Sequence, residues 1–250
     1  MAILADTTRD TLLGGRVTIF QPARGHRAAI DPVMLAAAVP ARSGETVLDA
    51  GSGSGAASLA LAARLDGVSV TGLEIQGLLV TMAQRSARES GLEGRVRFLE
   101  GDLLESPEEL KPGGYDHVMA NPPYMAAGHG NPPPDISKRA ATVESAAALA
   151  DWLRFLVSCA HYGGTVTVIH RYDRAHEVAA GLKDNGAGDL IIFPLWQKQE
   201  NGEAKRVIVR ARKGGACEMR TAGGLVLHDD AGAYTPAAEA VLRGGKALSL

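Results

Sequence analysis

The chain has 250 residues, a formal net charge of −2 at pH 7 and 46% hydrophobic residues. These values are ordinary for a globular protein, and we predict a single domain over residues 1–250. A charge so close to zero provides no general attraction to nucleic acid, so an RNA or DNA partner would need a local basic patch. Cys159 and Cys217 form neither a metal-binding spacing nor a disulfide framework, and no metal site is predicted.

The sequence contains no segment that predicts membrane insertion. The first ten residues carry Asp6, Arg9 and Asp10 without an apolar run, which is not typical of a signal peptide. No stretch reaches 18 uncharged apolar residues, the length that a spanning helix requires. We therefore predict a cytoplasmic protein with no membrane partner, and the oligomeric state stays open.

The N-terminal 40 residues predict a hairpin followed by a short helix. Residues 16–20 and 26–30 flank a connection that contains proline and glycine, which favours antiparallel pairing of the two segments. Asp31 followed by Pro32 is typical of a helix start, and the helix is predicted over 33–39, before Pro40.

From residue 46 onward, apolar strand patterns alternate with helical patterns. Strands are predicted at 46–50, 68–73, 96–99, 115–120, 165–169, 190–193 and 206–209. The last two are joined by a polar segment too short for a crossover helix, so this pair is predicted to be antiparallel. The fold class is therefore α/β: a doubly wound, mostly parallel, seven-stranded Rossmann-like sheet with an antiparallel last strand.

A glycine-rich loop follows the first strand of this sheet. Gly51, Gly53 and Gly55 permit left-handed backbone conformations and let a ligand approach the main chain closely. Glu74 ends the next strand, 19 positions after Gly55, where a carboxylate can accept both ribose hydroxyls of a nucleoside. The loop is therefore predicted to bind a nucleoside-containing cofactor.

Two cofactor classes fit this loop. The spacing of Gly51, Gly53 and Ala56 satisfies the loose dinucleotide fingerprint, so NAD is an alternative. Asp49 lies at the strand-to-loop junction, and Asp102 repeats at the third strand the position that Glu74 has at the second. Because three acidic groups at one edge favour a cation over a pyrophosphate, the interpretation preferred is S-adenosylmethionine, whose sulfonium is positively charged.

The segment Asn121-Pro122-Pro123-Tyr124 follows the fourth strand. Two prolines cannot continue a strand in the sheet interior, because neither donates an N–H. The strand therefore ends there, at the edge of the sheet where open α/β proteins bind ligands. The Asn121 amide oxygen and the Pro122 carbonyl can accept the hydrogens of an amine, and Tyr124 can stack on a flat ring.

Together, the glycine loop, the acidic strand ends and this tetrapeptide resemble class I S-adenosylmethionine-dependent methyltransferases. The tetrapeptide resembles the signature of the branch that methylates N6 of adenine or the side-chain amide of glutamine. Residues 20–31, the Leu-Ala-Ala of 35–37, and Leu227-His228 with Tyr234-Thr235 are most similar to the bacterial family that methylates adenine N6 in valine tRNA. The resemblance implies that residues 1–40 cover the cofactor site.

The resemblance also implies roles for individual residues, with RNA, and tRNA in particular, as the substrate. The cofactor-binding residues would be Asp31, Asp49, Gly51, Gly53, Gly55, Glu74, Asp102 and Asn121. The catalytic residues would be Asn121, Pro122 and Tyr124. The substrate-binding residues would be Arg24, His26, Arg27, Pro123 and Tyr124.

Other interpretations stay open at this point. Met125 stands where the family often has an aromatic residue, and residues 139–142 replace a more polar run. A glutamine N5-methyltransferase acting on a release factor or ribosomal protein would use the same asparagine and proline acceptors. A non-catalytic, cofactor-binding regulator is the alternative of another class. Basic residues between 205 and 220 are a candidate patch for RNA phosphates.

Overall fold

The computed structural model describes residues 7–23, 29–124, 147–199 and 202–250. Arg24, His26 and Arg27, which we predicted to bind substrate, lie outside these ranges, as do Met125 and residues 139–142. Within the described ranges, no helix is long and apolar enough to cross a bilayer. No group of three or more His, Cys, Asp or Glu side chains in these ranges is arranged to hold a metal ion.

The described residues form a large sheet with helices on both faces and a separate N-terminal hairpin. The α-helices are α1 (Asp31–Ala38), α2 (Ala56–Arg64), α3 (Gly77–Glu89), α4 (Leu149–Cys159), α5 (Ala175–Asp184) and α6 (Pro236–Leu242). The first strands are β1 (Thr7–Leu12), β2 (Val17–Pro22), β3 (Thr46–Ala50), β4 (Ser69–Glu74), β5 (Val96–Glu100) and β6 (Tyr115–Ala120). The later strands are β7 (Ala160–Arg171), β8 (Ala187–Trp196), β9 (Ala204–Lys213), β10 (Met219–Thr221) and β11 (Leu225–Val226).

The large sheet has the order β10-β8-β9-β7-β6-β3-β4-β5, with β11 also paired to β8. Strands β3 to β7 pair in parallel, whereas β9 is antiparallel to both of its neighbours. The predicted fold class is thus confirmed, including the antiparallel last long strand. The predicted count of seven strands is wrong, because β10 and β11 bring this sheet to nine. These two strands are three and two residues long, too short to show an alternating pattern in the sequence.

The predicted hairpin between 16–20 and 26–30 lies partly outside the described residues, which end at 23 and resume at 29. Val17–Pro22 forms one strand, but its antiparallel partner is β1, which precedes it in the chain. The turn between them contains Gly14 and Gly15, both with positive φ, so the glycine pair closes this hairpin. The strand β1 carries polar and charged residues and is only partly buried, so its sequence lacks the apolar signal of a core strand.

Two hydrophobic cores lie between the sheet and the helices, one on each face of the sheet. One contains residues of α1, α2, α3 and α6, and the other contains residues of α4 and α5. Neighbouring residues of the central strands, such as Val47 and Leu48, belong to opposite cores and are both fully buried. Parallel strands covered on both faces produce such continuous apolar runs. This architecture leaves the carboxyl ends of β3, β4, β5 and β6 as one edge where loops meet.

Candidate active site

The three glycines of the loop after β3 adopt the left-handed backbone conformations that their residue type predicts. Gly51, Gly53 and Gly55 have φ values of 69°, 56° and 88°, a region that disfavours residues with a Cβ. The N–H groups of Gly51 and Ser52 both donate to the carbonyl of Leu73 at 2.8 and 2.9 Å, which ties the loop to the end of β4.

The space around the loop differs from one glycine to the next. A Cβ on Gly51 would lie 2.5 Å from the ring of Trp152, which covers this part of the loop from α4. A Cβ on Gly53 would have no atom of the described residues within 4 Å. The apolar spacing over 149–156 indicates a helix face and gives no sign that the Trp152 ring reaches the loop. As far as the described residues go, the loop is therefore closed beside Gly51 and open above Gly53.

Glu74 binds the glycine loop directly. Its Oε2 accepts the N–H of Gly53 at 2.9 Å, and its Oε1 accepts the N–H of Gln76 at 2.9 Å. Burial raises the pKa of this carboxyl group, and the backbone hydrogen bonds partly oppose that effect. A carboxylate offers about four acceptor positions, so each oxygen retains one for a further donor. Glu74 can therefore position the loop and accept two hydroxyl groups of a ligand.

Asp49 lies beneath the loop rather than in the open space. It is buried, and its Oδ2 accepts both the N–H (3.1 Å) and the Oγ–H (2.6 Å) of Ser58 in the first turn of α2. A carboxylate at this helix end is favourable, because the helix dipole is positive there. Burial nevertheless raises its pKa to about 7, with a further contribution from the charge of Glu74.

Asp49→Asn is expected to remove a pH dependence of stability. Between about pH 4 and 7, folded Asp49 retains a proton that the unfolded chain has lost, so stability falls as pH rises through this window and is level above it. Each unit of pKa shift corresponds to about 1.36 kcal/mol, so the free energy of unfolding falls by on the order of 4 kcal/mol across this window. Urea unfolding at pH 5 and pH 8 measures this loss, and relative to wild type the variant is expected to be more stable at pH 8 than at pH 5.

The assignment would be contradicted if the difference in unfolding free energy between variant and wild type were the same at both pH values. Asp66→Asn, which changes a fully exposed carboxylate, is the control.

The ends of β4 and β5 add an acidic group and apolar surface. Asp102 accepts the N–H of Leu104 through Oδ1 at 2.9 Å, so one of its oxygens shapes the local turn. Three apolar side chains near this edge are unusually exposed: Ile75, Leu78 and Leu104 are 59%, 44% and 45% accessible. Apolar surface beside a carboxylate suits a flat, partly polar ring.

The tetrapeptide after β6 joins a cluster of charged and aromatic side chains. The hydroxyl oxygen of Tyr124 lies 2.7 Å from Asp31 Oδ2 and 2.6 Å from Asn121 Oδ1. The Nε of Arg206 donates to Asp31 Oδ2 at 2.8 Å, and its guanidinium lies over the Tyr124 ring, 4.3 Å from the centroid. The Tyr124 and His170 rings form a T-shaped pair with 5.3 Å between their centroids. Burial and the Asp31 charge both raise the Tyr124 pKa, so the phenol is protonated at neutral pH.

The candidate basic patch at 205–220 is largely engaged with the protein itself. Arg210 donates to the carbonyls of Ala38 and Leu250, and Lys213 donates to those of Ser158 and Ala160. Since β9 runs antiparallel, its first residues lie at the carboxyl edge of the parallel strands and its last ones at the opposite edge. Arg206 is therefore beside the site, although its sequence position gave no sign that it pairs with Asp31.

Comparison with known proteins shows the family. The family model described as Methyltransferase domain matches residues 41–185, which is more than half of the chain and includes the glycine loop, Glu74 and the tetrapeptide. The chain belongs to this family. The methyltransferase domain is also the class that the resemblance implied, so the prediction of a methyltransferase is confirmed.

Solved structures agree with this assignment. The methyltransferase is similar to a predicted O-methyltransferase from Agrobacterium tumefaciens, with 25% identity, a TM-score of 0.72, and coverage of 88% of this chain and 99% of the other. It shares its fold with geranyl diphosphate C-methyltransferase from Streptomyces coelicolor, solved with S-adenosyl-L-homocysteine, at 15% identity and a TM-score of 0.52, covering 73% of this chain and 74% of the other.

The curated relatives include methyltransferases that act on release factor glutamine, on tRNA1(Val) adenine and on ribosomal protein L11. The release factor glutamine methyltransferase of Moorella thermoacetica is 42% identical over 80 residues, which are 32% of this chain and 27% of that protein. The tRNA1(Val) (adenine(37)-N6)-methyltransferase of Aeromonas salmonicida is 26% identical over 211 residues, 82% of this chain and 84% of that protein. The chain thus spans about a quarter of the first relative and most of the second.

Proposed function

We propose that this methyltransferase transfers a methyl group from S-adenosylmethionine to the exocyclic N6 of an adenine in RNA, and that the RNA is a tRNA. The observation that carries the proposal is the position of Asn121. Its amide stands at the end of β6, the strand beside the glycine loop, and is held there by Tyr124. An amide and a backbone carbonyl next to a nucleoside pocket are what a methyl acceptor with two N–H groups requires.

The described residues fit S-adenosylmethionine. Ser52 Oγ is buried without a hydrogen-bond partner among them, and the space above Gly53 is open, so the loop has both an unpaired polar atom and room for a ligand. Glu74 would accept the ribose hydroxyls, and Asp102 with the neighbouring apolar surface would hold the adenine ring. Asp49, in its ionised form, would favour a cationic ligand from beneath the loop.

The chemistry needs orientation rather than a strong base. S-adenosylmethionine, when bound, supplies an electrophilic methyl group on a positively charged sulfur. An adenine N6 is a weak nucleophile, because its lone pair is delocalised into the ring. If Asn121 and the Pro122 carbonyl accept its two hydrogens, the nitrogen is drawn toward a tetrahedral shape and its lone pair is freed. The same acceptors stabilise the positive charge that develops on nitrogen, and one of its protons is then lost to water.

The substrate class rests on the extent of similarity. The adenine-N6 relative matches 82% of the chain, whereas the glutamine methyltransferase matches 32% of it. Because an adenine amine and a glutamine amide both present N–H groups to the same acceptors, the tetrapeptide itself does not distinguish adenine from glutamine. A glutamine amide on a protein therefore stays the second candidate, carried by the higher identity over the residues that the glutamine methyltransferase matches.

Methyl transfer from labelled S-adenosylmethionine tests the two candidates together. Undermodified bulk tRNA and a protein extract from cells lacking this protein serve as parallel acceptors. We expect label in tRNA, recovered as N6-methyladenosine after nuclease digestion and mass spectrometry. Label in protein alone would support the glutamine activity. Binding of S-adenosylhomocysteine without transfer to either acceptor would support a cofactor-binding regulator instead.

A further inference from the structure

Four side chains from three parts of the chain form one connected series at the site. Arg206 comes from β9, Asp31 from the start of α1, and Tyr124 and Asn121 from the segment after β6. The separations are 2.8 Å from Arg206 Nε to Asp31 Oδ2, 2.7 Å from Asp31 Oδ2 to Tyr124 Oη, and 2.6 Å from Tyr124 Oη to the Asn121 amide. All three links have hydrogen-bond length.

The protons available allow only one way to satisfy this series. A phenol has a single proton and cannot donate to both Asp31 and Asn121. Asp31 accepts from the Arg206 guanidinium, so it is the ionised, stronger acceptor and receives the phenol proton. Tyr124 Oη must then accept from Asn121, which places the amide nitrogen of Asn121 toward Tyr124 and leaves its oxygen turned away. The nitrogen and oxygen of an amide are isosteric, so a half-turn about the Cβ–Cγ bond achieves this.

We propose that Arg206 and Asp31 are positioning residues that act through the Tyr124 hydroxyl to turn the Asn121 amide oxygen toward the substrate amine. The inference rests on the proposed function, because that oxygen is the acceptor for the amine. With the opposite orientation, Asn121 would present an NH₂ group to an NH₂ group and would repel the substrate. Within the described ranges Asn121 makes no other side-chain hydrogen bond, so Tyr124 alone fixes the orientation of the amide.

The surroundings keep each member of the series in the required state. Burial lowers the pKa of Arg206, but its hydrogen bond and charge interaction with Asp31 outweigh this and raise it, so the guanidinium stays charged. The raised pKa of Tyr124 keeps the phenol proton in place. The Arg206 guanidinium also lies over the Tyr124 ring, which restricts the ring to the position in which its hydroxyl reaches Asn121.

Tyr124→Phe is the decisive kinetic variant, because it keeps the ring for stacking and removes only the hydroxyl. On an unmodified valine tRNA transcript, we expect kcat to fall about 10- to 30-fold, with KM for the tRNA and affinity for S-adenosylhomocysteine within about twofold of wild type. Arg206→Met is expected to lower kcat similarly. The double variant is expected to be no slower than the slower single variant, because both changes break the same series.

Two matched controls carry the same substitutions elsewhere. Tyr162→Phe changes an exposed tyrosine, and Arg210→Met changes an arginine of β9 whose side-chain hydrogen bonds to the described residues all go to backbone carbonyls. Both are expected to retain wild-type kcat. Wild-type kcat in Tyr124→Phe, or losses in the double variant that multiply, would overturn the proposal.

A measurement without turnover separates this proposal from the proposed function. The side-chain amide signal of Asn121, assigned by its absence in Asn121→Asp, is expected to exchange with solvent about tenfold faster in Tyr124→Phe and in Arg206→Met than in wild type. Unchanged exchange in both variants would overturn the positioning role even in an active enzyme. Faster exchange in a protein that methylates neither acceptor would support the positioning of Asn121 while the proposed substrate fails.

Discussion

Asn121→Ala is expected to reduce kcat by about 10²- to 10³-fold, the cost of losing one acceptor that stabilises transition-state charge. The amide lies at the end of β6, where Tyr124 holds it, and alanine removes the group while leaving the strand and both prolines in place. Because the amide acts mainly on the charge that develops at nitrogen, kcat should change far more than KM for the tRNA. Single-turnover methylation of the valine tRNA transcript measures the chemical step without product release.

The control for this variant is Asn185→Ala. Asn185 also uses its side-chain amide, donating to the carbonyl of Gly181 at the end of α5, away from the carboxyl edge of β6. Its loss is expected to lower stability slightly and to leave kcat unchanged. If Asn121→Ala stays within a few-fold of wild type, the amide does not hold the methyl acceptor, and the mechanism proposed for this site is wrong.

The central part of the fold was predictable because each of its elements is covered by the core. The strands at 46–50 and 115–120 have the predicted bounds, since both faces of these strands are buried and the apolar run therefore coincides with the strand. The glycines that follow β3 have the positive φ values that their residue type suggested. Local sequence and tertiary burial agree here, which is the condition under which sequence reasoning succeeds.

The periphery was not predictable for the opposite reason. The strand β1 is stabilised by pairing with β2 and by side-chain hydrogen bonds such as Thr8 to Asp10, not by an apolar face. The short strands β10 and β11 exist because β8 offers them a free edge. Pairing partners of this kind depend on which edge the fold leaves open, and a single sequence contains no local signal for that.

The site shows the same division between local and long-range information. Asp49 and Glu74 lie near the carboxyl ends of β3 and β4, and the tetrapeptide follows β6, so their common edge could be predicted from the sequence. The pair Asp31 and Arg206 is separated by 175 positions and forms only because β9 is antiparallel. A charge count over 205–220 placed Arg206 among possible phosphate ligands, whereas the structure pairs it with a carboxylate.

Glu74→Ala is expected to weaken binding of S-adenosylhomocysteine by about 10²- to 10³-fold. Two charge-assisted hydrogen bonds to ribose hydroxyls, at about 1.5–3 kcal/mol each, account for such a loss. The variant also leaves the N–H groups of Gly53 and Gln76 without their acceptor, so the loop that contacts the ligand is less well held. Titration calorimetry with S-adenosylhomocysteine measures the affinity directly and does not depend on knowing the methyl acceptor.

Two further measurements make this result specific to the ribose contact. Adenine alone, which lacks the ribose, should lose much less affinity in Glu74→Ala than S-adenosylhomocysteine does. Glu93→Ala, which removes an exposed carboxylate just before β5 at the opposite edge of the sheet, is expected to bind like wild type. Equal losses for adenine and S-adenosylhomocysteine would mean that Glu74 acts only by holding the glycine loop. Unchanged affinity for S-adenosylhomocysteine would remove Glu74 from the cofactor site altogether, and with it the reason to expect that the open space above Gly53 holds a nucleoside.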